Sequence, residues 1–102
     1  MKKNKPQNSA GVMLITGATS GFGESTAYHA AKAGFQLILT GRRQDRLNAL
    51  KVAVGPAVLM ILVFDVRDRE ATAHALASIP DDWVPDVLVN NAGLAVGKEP
   101  LD

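Results

Sequence analysis

Three closely spaced glycines, Gly17, Gly21 and Gly23 in TGATSGFG, carry the most informative chemistry in the chain. They follow the apolar residues 12–15 (VMLI), so the order is buried strand, tight glycine turn, then helix. In such a turn one glycine supplies a backbone angle closed to other residues, and another lets the main chain approach a pyrophosphate with no Cβ between. The third allows the helix to pack closely. The helix starting near Gly21 presents unpaired N–H groups and the positive end of its dipole to the same space, which makes a phosphate the natural occupant. The alternative is an ordinary glycine-rich turn, since short glycine patterns are common.

Other reactive side chains are sparse. His29 and His74 stand singly, without partners at metal-ligand spacing, so both are expected at the surface and no metal site is expected. The absence of cysteine excludes disulfides, thiolate metal sites and cysteine nucleophiles, and fits a reducing, cytoplasmic setting. A net charge of +1 with no basic face gives no reason to expect nucleic acid as a partner. Lys2, Lys3 and Lys5 open the chain, but the apolar run after them is far shorter than a signal peptide needs. Residues 1–10 are therefore expected to form a polar, poorly ordered tail. No apolar stretch approaches the roughly 20 residues that span a bilayer, so a soluble chain with no membrane partner is expected.

The elements that must position these residues alternate along the chain. At 102 residues and 47% apolar, the sequence suits one small domain. After the glycine turn, residues 24–33 form a helix with a small-residue face at Ala27, Ala30 and Ala31, stopped by Gly34. Residues 35–40 (FQLILT) form a second strand, followed by Gly41, Arg42 and Arg43. A helix over 45–54 puts Leu47, Leu50 and Val54 on one side, a face that Val52 fits poorly, and ends at Gly55 and Pro56. Residues 57–64 (AVLMILVF) read as a central parallel strand covered on both faces, ending at Asp65. A third helix is capped by Asp68, carries Leu76 and Ile79 inward, and stops by Pro80. Trp83 is expected to pack against a helix, and residues 86–90 (DVLVN) form a fourth strand. Strict alternation implies an α/β class with a parallel sheet, and right-handed crossovers give the strand order 3-2-1-4. The first two helices then share one sheet face and the third lies alone on the other.

Four features in this order, TGATSGFG, GRR at 41–43, Asp65-Val66 and NNAG at 90–93, together resemble the short-chain dehydrogenase/reductase family. The resemblance runs from about Val12 to the end of the chain, and matches the N-terminal part of such an enzyme. The segments GRRQDRL and NNAGLAVGKEPLD are similar to its NADP-dependent 3-hydroxy acid (serine-type) dehydrogenase branch. The resemblance implies a partial Rossmann fold over residues 11–102 as a dinucleotide-binding portion. It makes Gly17, Gly21 and Gly23 the pyrophosphate turn, with Phe22 in the same cofactor-binding set and Thr16, Thr19 and Ser20 as hydroxyl donors. It places Asp65 and Val66 beside the adenine, and Asn90, Ala92 and Gly93 along the adenosine ribose, where they also brace the first strand. Asn90 has an alternative use, since an asparagine at a strand end also ties adjacent loops through its amide.

The residues after the second strand bear on cofactor choice. An NAD site puts a carboxylate there, roughly 20 residues past the glycines, to accept from the ribose 2′-hydroxyl. Gly41 occupies that place, leaving room for a 2′-phosphate to which Arg42, with Arg43 beside it, offers a planar fork of donors. NADP is expected. The competing reading makes Arg42 and Arg43 the solvated start of a helix, with Asp45 as neighbour.

The resemblance further implies catalysis by a tyrosine whose pKa is lowered by a lysine one helical turn later, with a serine and an asparagine in support. All four belong after the fourth strand, so no catalytic residue is expected in this chain, and hydride transfer to a small substrate requires the remainder of such an enzyme. Tyr28 and Lys32 reproduce the Tyr-x-x-x-Lys spacing, but on the first helix, whose middle points away from the nicotinamide end. The competing functions are a nucleotide-binding module without chemistry and an interaction fragment. Self-association through the exposed sheet edge or face is also expected.

Overall fold

The computed structural model of the chain describes residues 9–91. Within them run β1 (Gly11–Thr16), α1 (Gly21–Lys32), β2 (Phe35–Gly41), α2 (Gln44–Val54), β3 (Val58–Val63), α3 (Arg69–Ala77) and β4 (Val87–Asn90). A short 3-10 turn at Asp81–Trp83 precedes β4. All strand pairs are parallel and the sheet order is β3-β2-β1-β4, the expected partial Rossmann topology.

Strand alternation divides the core into two layers. Met13 and Ile15 of β1 and Leu37 and Leu39 of β2 face Ala27 and Ala30 of α1 and Leu47 and Leu50 of α2. Val12, Leu14, Ile38 and Leu62 face the other way, toward Phe64, Ala71, Ala75, Ile79 and Trp83. Val12, Ile15, Leu37, Ile38, Leu39 and Leu47 are wholly buried, each stabilising the fold by about 1.5–3 kcal/mol relative to exposure. Trp83 packs against the core layer that Ala71 and Ala75 of α3 also meet, and Val52 is 82% exposed on the outer side of α2.

Two expectations need correction. The β3 segment is not central: it is an edge strand, with Leu59, Met60 and Ile61 half-buried and Val63 exposed. A long apolar run reports that both faces are covered by helices, not that both edges are paired. Leu76 is not inward but 45% exposed, because α3 turns Ala71 and Ala75 toward the core; Ile79, which also packs there, comes after the helix, which ends at Ala77. One residue on from Ala75 lies about 100° further round the helix.

Helix ends follow their capping residues. Ser20 and Asp68 cap α1 and α3 by accepting from Gly23 N–H and Ala71 N–H, and Gly34, at φ 97°, provides the left-handed stop after α1. Before β4, the Asp86 carboxylate accepts from Val12 N–H at 2.8 Å, while Asp86 N–H donates to Val12 O at 2.7 Å. Among the described residues no helix is long and apolar enough to cross a membrane. Of the expected tail, Ser9 and Ala10 are described, and Ala10 N–H donates to Gly34 O. Ala92 and Gly93 lie outside the described residues.

Candidate functional site

The chain leaves β1 through Gly17, whose φ of 61° is the left-handed angle that favours glycine. Ser20 then closes the turn: its N–H and hydroxyl both donate to Gly17 O, at 3.1 and 2.9 Å, and its Oγ accepts from Gly23 N–H at 3.0 Å. Glu24 N–H makes the first intrahelical bond, to Ser20 O. Helix geometry leaves the earlier N–H groups without intrahelical acceptors, and among the described residues nothing accepts from those of Gly21 and Phe22. Phe22 therefore enters the candidate set through its backbone, its side chain being 83% exposed.

The other two glycines serve different ends. A Cβ on Gly23 would lie 2.8 Å from Ala18 Cα and 2.9 Å from Ala18 C, so only glycine lets the helix sit this close to the turn. A Cβ on Gly21 would meet nothing within 4 Å. Space is open there.

A cavity of about 570 Å³ lies at the C-terminal ends of the strands, where open parallel sheets bind ligands. Gly17, Thr19 and Ser20 form one part of its wall. Gly41, Arg42 and Arg43 form another, after a β2 end held by Ala18 N–H to Thr40 O at 2.9 Å and by Thr40 Oγ1 to Ile15 O at 3.2 Å. Asp65 and Val66 complete the set of predicted residues in the wall. A Cβ at Gly41 would be in ordinary contact with Leu47, at 3.5 Å, so the protein's own packing does not demand glycine there.

Charge in this cavity is organised around Asp65. Arg67 grips its carboxylate from Nη2 at 2.8 Å and Nε at 3.1 and 3.2 Å, and adds its backbone N–H at 2.9 Å. Those hydrogen bonds, side-chain first, hold the Asp65 carboxyl at about 2 and raise the Arg67 guanidinium above its ordinary value. Arg42 Nη1 stands further off, 3.9 Å from Asp65 Oδ2.

Sequence reasoning did not place Arg46, Phe64, Arg67 or Asn91 in the site, yet all four line the cavity. Arg46 stands within α2, four residues after Arg42, which precedes the helix, and Arg67 follows Asp65 by two residues; neither spacing is by itself a signal. Asn91 Nδ2 is buried and has no hydrogen-bond partner among the described residues. Thr16 and Asn90 sit apart from the cavity wall and bond each other, Thr16 Oγ1 donating to Asn90 Oδ1 at 3.0 Å, which ties the end of β4 to the end of the first strand. Tyr28 and Lys32 are exposed on α1 and do not line the cavity. His29 and His74 are exposed, as expected.

A parallel sheet with a glycine cradle and a basic cavity at its strand ends defines a dinucleotide-binding α/β unit. Residues 11–101 match the family model for short chain dehydrogenases, and the chain belongs to that family. It is 52% identical over 92 residues to serine 3-dehydrogenase of Rhizobium radiobacter, covering 89% of this chain and 36% of that protein. It is 50% identical over 90 residues to NADP-dependent 3-hydroxy acid dehydrogenase YdfG of Escherichia coli K12, covering 87% and 36% respectively. The closed form of serine dehydrogenase complexed with NADP+ superposes with a TM-score of 0.73 at 46% identity, over 78% of this chain and 32% of that one. The chain spans about 36% of the length of the curated relatives it matches.

Proposed function

We propose that residues 11–102 are the NADP(H)-binding portion of a longer single-domain short-chain dehydrogenase/reductase. When bound, NADP(H) supplies or accepts a hydride at its nicotinamide ring, and the substrate is a small hydroxy or oxo compound of the 3-hydroxy acid type. The relatives' names, serine 3-dehydrogenase and NADP-dependent 3-hydroxy acid dehydrogenase, support that substrate class. The residues here bind and orient; the acid–base chemistry belongs to the remainder of such an enzyme. The reading includes self-association through the edge or face beside β4.

The observation that carries the proposal is Gly41 next to Arg42 in the wall of one cavity with Gly17 and Ser20. Glycine at 41 relieves no clash within the protein, so its effect is to keep space beside a guanidinium fork. Without acceptors among the described residues, the N–H groups of Gly21 and Phe22 suit the pyrophosphate, and the Asn91 amide nitrogen suits an acceptor on the bound nucleoside. Asp65, Val66 and Asn90 keep the adenosine roles implied by the resemblance, Asn90 acting through the strand end it ties, and Ala92 and Gly93 belong to the same set.

Replacing Arg42 by Ala tests the reading. Loss of charge-assisted hydrogen bonds worth about 1.5–3 kcal/mol weakens NADP binding roughly 10- to 100-fold and leaves NAD binding nearly unchanged. Titration calorimetry with both cofactors reads the difference. Equal losses for the two would mean that Arg42 holds the loop rather than the 2′-phosphate.

A further inference from the structure

Within the basic cavity, one arginine is committed to a carboxylate and another is not. Arg67 takes both oxygens of Asp65 at 2.8–3.2 Å, while Arg42 stands at 3.9 Å, beyond hydrogen-bond reach, with its side chain 61% exposed. All three side chains line the same cavity. We propose that Arg67 is a positioning residue for cofactor choice: by occupying the Asp65 carboxylate it leaves the Arg42 fork to a 2′-phosphate. The inference rests on the NADP reading above.

The physical reasoning has two parts. A bare carboxylate in the wall would repel a phosphate dianion, and pairing with Arg67 cancels most of that field. Protonation cannot do the same work at neutral pH, because a carboxyl freed of Arg67 returns toward its ordinary 3.8 and is still ionised there. A bare Asp65 would also draw in the Arg42 guanidinium, already within ion-pair range at 3.9 Å but not hydrogen-bonded to it, and turn its donors away from the ligand. The Arg67–Asp65 pair lies at the surface, where ion pairs contribute little to fold stability, so its consequence is geometric and electrostatic.

The test is a double-mutant cycle on the full 102-residue chain, with NADP and NAD affinities measured by calorimetry at one ionic strength. Arg67→Gln weakens NADP binding by about fivefold, the scale of one unshielded charge at this distance, and leaves NAD binding little changed. In an Arg42→Ala background the same substitution has almost no effect on NADP, because the fork it protects is gone. Arg67→Lys, which keeps a cation but not the bidentate grip, loses less and in the same direction, and serves where the glutamine variant does not fold. Equal weakening of NADP and NAD, or an undiminished loss in the Arg42→Ala background, overturns the proposal and makes Arg67 a loop brace. Wild-type chain that binds NADP while Arg67→Gln keeps its selectivity overturns this inference alone; wild-type chain with no preference for NADP overturns the parent reading with it.

Discussion

The Asp65 carboxyl illustrates how two neighbouring residues set a local charge. Its value falls from an ordinary 3.8 to about 2, first through the side-chain hydrogen bonds of Arg67, then through the Arg67 N–H, with partial desolvation working against both. Because the folded value is the lower one, the unfolded chain binds more protons between the two. The stabilising contribution is complete above about pH 4 and is lost as pH falls toward about 2. It is constant at neutral pH. A carbon-detected NMR titration of the Asp65 side chain should show a midpoint near 2 in the wild-type chain, and one displaced upward toward 3.8 in Arg67→Gln. An unmoved midpoint would assign the shift to another cause. At this scale the sequence was enough to gather Gly17, Ser20, Arg42 and Asp65, which line one cavity: Gly17 and Arg42 by residue type and place after a strand, Ser20 and Asp65 by the family resemblance. Arg67 and Arg46 stayed hidden, because a surface arginine declares its partner only once the backbone turns it toward one.

At the scale of elements, the glycine turn separates folding from binding within a single motif. Gly23 is constrained by backbone atoms at 2.8 and 2.9 Å that cannot rotate away, so Gly23→Ala should cost about 1–3 kcal/mol through overpacking. A domain of this size loses roughly 4–8 °C of melting temperature per kcal/mol, readable by circular dichroism. Gly21 has open space around it, so Gly21→Ala should melt at or slightly above the wild-type temperature while NADP binding falls by about tenfold or more, because the methyl group intrudes where the pyrophosphate approaches. Unchanged NADP affinity in Gly21→Ala would move the phosphate elsewhere. The same scale shows why α3 was misread. Its sequence offers Leu76 as the obvious anchor, but Ala71 and Ala75 are the helix residues that meet the core layer, and the leucine is left outside. Periodicity without knowledge of the partner surface picks the larger residue.

For the whole molecule, strand order and helix sides were legible because handedness leaves few options once strands and helices alternate. That order already set β3 at an edge, which its apolar run, informative about faces only, did not signal. β4 presents the same question from the other side of the sheet. Leu88 pairs in register with buried Leu14 on the α3 face, yet is 62% exposed, and Val87 is 36% exposed on the opposite face. Among the described residues β4 is the edge strand beyond β1, with one row of backbone groups outside the sheet's pairing. An apolar edge of this kind pairs with another copy or binds hydrophobic probes. The purified 102-residue chain should therefore scatter light as dimers or larger species, bind a hydrophobic dye, and show protected amides at Val87, Leu88 and Val89 that depend on protein concentration. Leu88→Lys should lower both scattering and dye binding and leave NADP affinity unchanged, because Leu88 lies outside the cavity. A monodisperse monomer whose β4 amides exchange slowly at every concentration would mean that the strand is covered from within its own chain, and self-association through it would be excluded.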